Sequence, residues 1–406
     1  FWLKASAPIR AAPRALLAMG MGVCWVLFLL SAVVLAVSFP YLQLGVKHLL
    51  LHQMGLILVA LDEKDVSPWN GTYTDEGCIL LAGEKSGSVY IRGGEDLALW
   101  RDGIAIASGG DLRTTFFHNA SGAQGTGIFA VDMRAAPAPQ VKRLELRGMP
   151  SGALVVGHGI HLCNKSSRVY LINHGDPRRS HVDIFAIAGT DFGSLSLTLV
   201  QRVSSDLMPY HTLNDVVEGR DADEIFVSRF RVFGSTKRDP AFGSVNGQKS
   251  FMAKAYHYYL GPGWGELGVL RCTRVSDSLE GGWSCSRTEA WGLPSANGLA
   301  ISPDRRTLLV SVPEAKQIFR YEVVEGGRLR ELAPPIQMYG DLDNLEWDEA
   351  TGEVLLTTGT EGTVELLAMD AAGVLAGARA PDARPVLRHD ASKLPTGSAG
   401  VPDGAA

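Results

Sequence analysis

Features that the 406-residue chain lacks exclude several functional classes. Its five cysteines include no CxxC pair, which argues against a zinc ribbon, and they are too few for a dense disulfide framework. Neither sign of charge dominates, with 38 Lys and Arg against 43 Asp and Glu, so nothing in the charge favours a nucleic-acid partner. No Gly-X-Ser-X-Gly motif occurs, which argues against an α/β-hydrolase nucleophile.

One long hydrophobic run is present near the beginning of the chain. Residues 15–46 carry no charged side chain, and about 20 apolar residues suffice for a helix to cross a bilayer. Lys4, Arg10 and Arg14 precede the run, which predicts a cytosolic segment 1–14 and a lumenal or extracellular remainder. We therefore expect a single-pass membrane protein with a signal-anchor. A cleaved signal peptide is the alternative, and it exports the same domain.

After a membrane-proximal segment, 47–76, short strand-like runs dominate. Thr307–Val312 and Gln317–Val323 form a predicted hairpin, and comparable pairs start at residues 104, 169, 224 and 353. Spacings between these starts run from 46 (307 to 353) to 83 (224 to 307), which is typical of four-stranded propeller blades with insertions. The pattern predicts an all-β domain over 77–390, a β-propeller, with a β-sandwich as the alternative.

The ends of this domain and its longest insertion carry separate predictions. Between Arg229 and Trp291 the chain is rich in aromatic residues, which indicates either a lid over one mouth of the domain or a longer strand pair. Cys272 and Cys285 in this stretch are candidates for a hairpin disulfide. No strand pattern is visible after residue 372, and residues 391–406 are predicted to be disordered.

Acidic and amide residues recur at the ends of the strand-like runs. Glu95-Asp96, Asn214-Asp215, Asn297 and Asp343-Asn344 stand between apolar residues, where polar side chains are costly to bury unless they are paired. Turn chemistry accounts for any single pair, because Asn and Asp are ordinary loop formers. Four such sites on successive strand pairs favour a shared hard cation such as Ca²⁺, which takes six to eight oxygen ligands.

Two histidines flank one of the strand-like runs. His158 precedes it and His174 follows it, and neighbouring strands can bring such residues within hydrogen-bond distance. An imidazole pair can deprotonate water near pH 7, although a single histidine is more often structural. His161 lacks the third ligand that a zinc site needs.

Taken together, these motifs resemble the paraoxonase/arylesterase family over residues 77–390. The matching motifs, in the order of the family, are Gly94-Glu-Asp-Leu97, His158-Gly-Ile160, Asn173-His174, Leu213-Asn-Asp-Val216, Ala296-Asn-Gly298 with Ile301-Ser-Pro-Asp304, and Asp343-Asn344. The resemblance implies a six-bladed β-propeller with two calcium ions in its central tunnel, and hydrolysis of lactones and aryl esters as its activity. An ester or lactone is then the expected small-molecule substrate.

The resemblance also implies individual roles. His158 would be the general base on water and His174 would orient it, while the ion would act as a Lewis acid on the substrate carbonyl. The catalytic calcium would be bound by Glu95, Asn214, Asn297, Asp343 and Asn344. The structural calcium would be bound by Asp96, Asp215 and the backbone carbonyl of Ile160.

The chain departs from the family in one respect. The family closes its ring with a disulfide whose first cysteine matches Cys78, but no cysteine follows Cys285 and the final strands are not visible, so ring closure is left open. Three Asn-X-Ser/Thr sequons, at Asn70, Asn119 and Asn164, fit an exported glycoprotein.

The alternative function is a non-catalytic propeller, anchored in the membrane, that acts as a chaperone or accessory subunit of a membrane protein. The complete set of expected ligands and the histidine pair favour the enzyme. A propeller similar to strictosidine synthase is a third candidate, but paired Asn-Asp and Asp-Asn ligands are not expected there.

Overall fold

A computed structural model describes residues 96–101, 103–109, 126–134, 139–176, 178–230, 244–245, 248–249, 267–293, 295–332, 334–338, 341–348, 353–360, 363–370 and 384–390. The predicted membrane span, Cys78, Glu95, Asn70, Asn119 and most of the aromatic insertion lie outside these residues. No helix in the described part of the chain is long and apolar enough to cross a membrane.

Five sheets of four or five strands account for most of the described residues. The first comprises β1 (Leu97–Arg101), β2 (Ile104–Gly109), β3 (Gly127–Asp132) and β4 (Gln140–Arg143). The second comprises β5 (Glu145–Arg147), β6 (Gly157–Cys163), β7 (Arg168–Asn173), β8 (His181–Ala188) and β9 (Ser196–Val203). The third comprises β10 (Leu213–Glu218), β11 (Glu224–Arg229), β14 (Gly268–Arg274) and β15 (Trp283–Trp291). Between β11 and β14 the chain forms a separate two-stranded sheet of β12 (Ser244–Val245) and β13 (Gln248–Lys249).

The fourth and fifth sheets complete the described chain. The fourth comprises β16 (Leu299–Ile301), β17 (Thr307–Val312), β18 (Gln317–Val323), β19 (Leu329–Glu331) and β20 (Ile336–Gln337), with short 3₁₀ turns at Pro313–Ala315 and Glu325–Gly327. The fifth comprises β21 (Asp341–Asp348), β22 (Glu353–Thr360), β23 (Thr363–Asp370) and β24 (Arg384–Asp390). Within each sheet, strands that follow one another along the ladder pair antiparallel, except that β5 joins β9 in parallel.

The core lies between sheets. Four hydrophobic clusters are each shared by two sheets that are consecutive in the chain. Along β7, for example, Leu171 packs against the first sheet and Ile172 against the third, because successive side chains of a strand point to opposite faces. Meander sheets stacked face to face in chain order form a propeller-like arrangement, which confirms the predicted all-β class. The count of six blades stays a prediction.

The runs at which the predicted pairs start are β2, β7, β11, β17 and β22. Each pairs on its other side with one more strand: β1, β6, β10, β16 and β21 are called the first strands, and the runs they pair with are called the second strands. Most of the first strands contain the polar motifs described above. Polar residues interrupt the hydrophobic alternation on which strand recognition depends, so these segments resembled loops.

The predictions for the C-terminal region and the cysteine pair have different outcomes. β24 lies where no strand pattern was visible, so the expectation that the final strands are absent is wrong. It is the last strand of its sheet and contains Pro385, a residue tolerated at sheet edges but one that weakens a strand pattern. Cys272 and Cys285 face each other on β14 and β15 and form the hairpin disulfide.

Candidate functional site

Three of the first strands share one irregularity. In each, two residues of the first strand lie between two paired positions where the second strand has only one. The paired positions on the first strands are Gly157 and Ile160, Leu213 and Val216, and Leu342 and Leu345. Such a β-bulge holds one extra residue and changes the direction of its side chains. The residues inside the three bulges are His158-Gly159, Asn214-Asp215 and Asp343-Asn344, so half of the ten predicted site residues lie inside bulges.

Hydroxyl groups on the second strands hold these positions. The backbone N–H of Asp215 donates to Ser228 Oγ at 2.9 Å, and that of Asn344 donates to Thr357 Oγ1 at 3.0 Å. Asp96, just before β1, makes the corresponding bond to Ser108 Oγ at 3.3 Å. At Asp215 and Asn344 the hydroxyl accepts a backbone N–H from inside a bulge.

First strands of neighbouring sheets meet at these bulges. A Cβ atom placed on Gly159 would lie 2.7 Å from Cα of Asp215, and one placed on Gly298 would lie 2.7 Å from Cα of Asn344. Between these two contacts, the backbone N–H of Leu299 donates to Asp215 Oδ2 at 2.7 Å. The starts of β6, β10, β16 and β21 are therefore neighbours, which places side chains that are far apart in sequence around one region.

Two of the predicted carboxylates lie on either side of β6. Asp96 Oδ2 accepts the backbone N–H of Ile160 at 3.0 Å, while Asp215 Oδ1 accepts that of Val216 at 2.7 Å. Burial raises the pKa of Asp215 well above its usual value, and the negative charge of Asp96 raises it further. A cation near both carboxylates would remove the repulsion and favour their charged forms.

The two predicted histidines are in contact. His158 Nδ1 and His174 Nε2 are 3.0 Å apart, and the side chains are 3% and 1% exposed. Asn214 Nδ2 lies 3.4 Å from the outer nitrogen of His158, Nε2. On the other side, His174 Nδ1 is 2.7 Å from Ser180 Oγ. A line of hydrogen-bonding groups thus connects the Asn214 bulge to a buried serine.

A second polar network fixes the backbone next to His174. Asn173 Oδ1 accepts the backbone N–H of Val156 at 2.9 Å and that of Gly175 at 2.8 Å, while its Nδ2 donates to Asp183 Oδ2 at 2.8 Å. Burial opposes ionisation of Asp183, but hydrogen bonds and charge from His181 and Arg202 hold its pKa below the usual value. The segment that carries His174 is therefore held by a paired, ionised carboxylate.

Comparison with known proteins finds relatives of similar sequence. No family model matches the chain. Human serum paraoxonase/lactonase 3 is 26% identical over 283 residues, which cover 69% of this chain and 68% of the relative. The protein of the same name from Oryctolagus cuniculus is 25% identical over the same shares of both chains. Over about two thirds of its length the chain is thus similar to serum paraoxonases.

A solved structure is also similar at a greater distance. It is that of a candidate gluconolactonase, with 17% identity and a TM-score of 0.41, and the match covers 75% of this chain and 79% of the other. The resemblance predicted from the motifs is confirmed by the two serum paraoxonases, and it does not depend on this structure.

The predicted ligands fall into groups that the fold brings together. Asp96, Ile160 and Asp215 surround Gly159, and Asn214 adjoins His158. Asn297 precedes β16. Ser311 on the adjacent strand β17 accepts the backbone N–H of Gly298 with its Oγ and donates to the carbonyl oxygen of Asp343. Glu95 lies outside the described residues.

The donor set fits a hard cation. Asn297 Oδ1 is buried and has no hydrogen-bond partner among the residues that the structure describes, so a cation would satisfy it. Asp343 is exposed and Asn344 is half-buried. No group of three His, Cys, Asp or Glu side chains in the described ranges is placed to hold a metal.

Three residues around the dyad were not predicted from the sequence. Besides Ser180, the ring of His211 lies with its centroid 5.0 Å from that of His174, and the ring of Phe230 lies 5.8 Å from His158 in an edge-to-face arrangement. None of the three belongs to a motif of the polar type used above.

Of the sequons, Asn164 is exposed in the turn between β6 and β7.

Proposed function

We propose that this paraoxonase-like chain is a calcium-dependent hydrolase of carboxylic esters that acts as an arylesterase or lactonase. The observation that carries the proposal is the buried contact of 3.0 Å between His158 and His174 beside the Asn214-Asp215 bulge. The relatives named paraoxonase/lactonase support the lactone and ester substrate class. The charge-free run at 15–46 supports a single-pass membrane protein whose hydrolase domain is lumenal or extracellular.

The residues divide the chemistry between them. Asn214, Asn297, Asp343 and Asn344, with Glu95, would hold the catalytic calcium, which when bound supplies a positive charge for the oxyanion that develops on the substrate carbonyl. Asp96, Asp215 and the Ile160 carbonyl would hold the structural calcium. His158 would take a proton from water, and His174 would keep the His158 ring in position through the bond between Nδ1 and Nε2.

Hydrolysis assays with and without calcium test the proposal. The purified full-length chain is expected to hydrolyse phenyl acetate or a δ-lactone in the presence of Ca²⁺ and to lose this activity in excess EDTA. Full activity in excess chelator would contradict the proposal. Capture of a membrane protein without hydrolysis of either substrate would favour the non-catalytic alternative.

A pair of variants separates the dyad from its surroundings. His158→Gln is expected to lower turnover by about 10²–10⁴-fold, the usual contribution of a general base. His161→Gln is the matched control: this residue lies on the same strand, and burial together with the charge of Arg305 lowers its pKa to about 3, so it is neutral at physiological pH. Equal activities of the two variants would remove the proposed role of His158.

A further inference from the structure

Ser180 lies behind the histidine pair and is fully buried. Its Oγ has two nitrogen neighbours, both at 2.7 Å: the backbone nitrogen of His211 and Nδ1 of His174. His211 has a φ of 55°, a left-handed conformation that is uncommon for residues other than glycine. This backbone conformation accompanies the bond that points the His211 N–H at the serine.

The donors and acceptors around Ser180 determine where its proton lies. A backbone N–H can only donate, so Ser180 Oγ accepts from His211. The hydroxyl proton then needs its own acceptor, because a buried donor without one is destabilising. Among the described residues, the contacts of Ser180 offer one acceptor, Nδ1 of His174. The proton of neutral His174 is therefore on Nε2.

The same reasoning extends to His158. The Nε2–H of His174 donates to His158 Nδ1 across 3.0 Å, so neutral His158 carries its proton on Nε2, the nitrogen that faces Asn214. Rotation of the Asn214 side-chain amide by 180° exchanges Oδ1 and Nδ2, and Oδ1 then accepts this N–H. The second lone pair of Oδ1 stays available for a cation. The tautomer of both rings is thus set from the serine end of the line.

We propose that Ser180 is a positioning residue that fixes the tautomers of His174 and His158, so that the neutral pair presents a hydrogen-bond donor to the site. The assignment stands on geometry, and only its catalytic meaning rests on the proposed function. In the resting site His158 can donate to the carbonyl oxygen of an ester or lactone. It can accept a proton from water at Nε2 only after the pair has changed tautomer and the Ser180 hydroxyl has lost its acceptor.

Long-range ¹H–¹⁵N correlation spectra of the full-length chain, labelled with ¹⁵N-histidine and recorded at neutral pH, test this directly. The signals of His174 and His158 are assigned by their loss in His174→Gln and His158→Gln. Wild-type protein is expected to show the Nε2–H tautomer at both rings. A proton on Nδ1 of either ring would overturn the proposal, and this measurement needs no variant at Ser180.

Variants at the serine test its role in setting the tautomer. Ser180→Ala is expected to convert the His174 signals to a mixture of tautomers or to the Nδ1–H form, while Ser180→Thr keeps the hydroxyl and restores the wild-type pattern. Ser302→Ala, which removes a buried hydroxyl in the turn between β16 and β17, is the control and leaves both rings unchanged. An unchanged His174 tautomer in folded Ser180→Ala would overturn the role of Ser180.

Phenyl acetate hydrolysis is measured on the same samples. The predicted tautomers in a chain without activity would overturn the proposed function alone. The opposite tautomers in an active chain would overturn the inference about Ser180 alone.

Discussion

Replacement of Gly159 by alanine tests the meeting of neighbouring first strands. The new Cβ would clash with the carbonyl oxygen of Asn214 and lie 2.7 Å from both Cα and Oδ1 of Asp215, and two of these three atoms belong to the backbone of another sheet. Relief requires that the two sheets separate. Overpacking of a rigid interior costs about 1–3 kcal/mol, and we expect the upper part of this range, about 3 kcal/mol. The φ angle of Gly159 is not in the left-handed region, so this loss reports contact and not backbone strain.

Gly193→Ala provides the matched control. Its Cβ would meet only a side-chain oxygen of Asp191, at 3.2 Å, so we expect a change within about 0.5 kcal/mol. Urea unfolding followed by tryptophan fluorescence gives both free energies. At about 2–4 °C per kcal/mol, the melting temperature of Gly159→Ala is expected to fall by about 6–12 °C. Equal stability of the two variants would refute the close approach of β6 and β10, and with it the convergence of the predicted ligands.

Further predictions concern three other polar contacts. Because the pKa of Asp183 is lowered in the folded state, its carboxylate stabilises the fold fully above about pH 4 and less as the pH falls through the folded pKa. Asp183→Asn is therefore expected to reduce the loss of stability at acidic pH. An unchanged loss of stability would count against the network around Asp183. Tyr170→Phe removes a hydroxyl that donates to the buried Glu218 carboxylate and is expected to cost about 1.5–3 kcal/mol in urea unfolding; wild-type stability would contradict this. Ser228→Ala removes the acceptor for the Asp215 backbone and is expected to weaken calcium binding by about 10–100-fold in a calorimetric titration, whereas unchanged affinity would separate the bulge from the site.

The fold was predictable from sequence where strands are continuously apolar. Thr307–Val312 and Gln317–Val323 match β17 and β18, because both are short runs rich in strand-forming residues and a tight polar turn joins them. The first strands could not be recognised, because a bulge inserts polar residues that belong to the site and interrupt the alternation. The fold nevertheless brings their polar residues close to other parts of the chain, since Asn214 lies next to His158 and Asp215 next to Leu299.

The residues around the dyad show why the rest was not predictable. Ser180 is six positions after His174 and has no motif around it, and only the turn between β7 and β8 brings its hydroxyl to the imidazole. The left-handed backbone of His211 accompanies a tertiary contact with that hydroxyl, and no local sequence pattern specifies it. β24 was missed because Pro385 and charged residues give it little strand character.

Calcium content is the most direct measure of the central claim, that oxygen atoms from successive first strands bind a hard cation at one place. Elemental analysis of the purified full-length chain after gel filtration is expected to find two calcium ions per chain in the wild type and in Asp191→Asn, a variant of an exposed loop carboxylate. Asp215→Asn, which alters the buried carboxylate between β6 and β16, is expected to lose calcium and ester hydrolysis together. An active wild-type chain without calcium, or an Asp215→Asn chain that retains the full complement, would contradict the account.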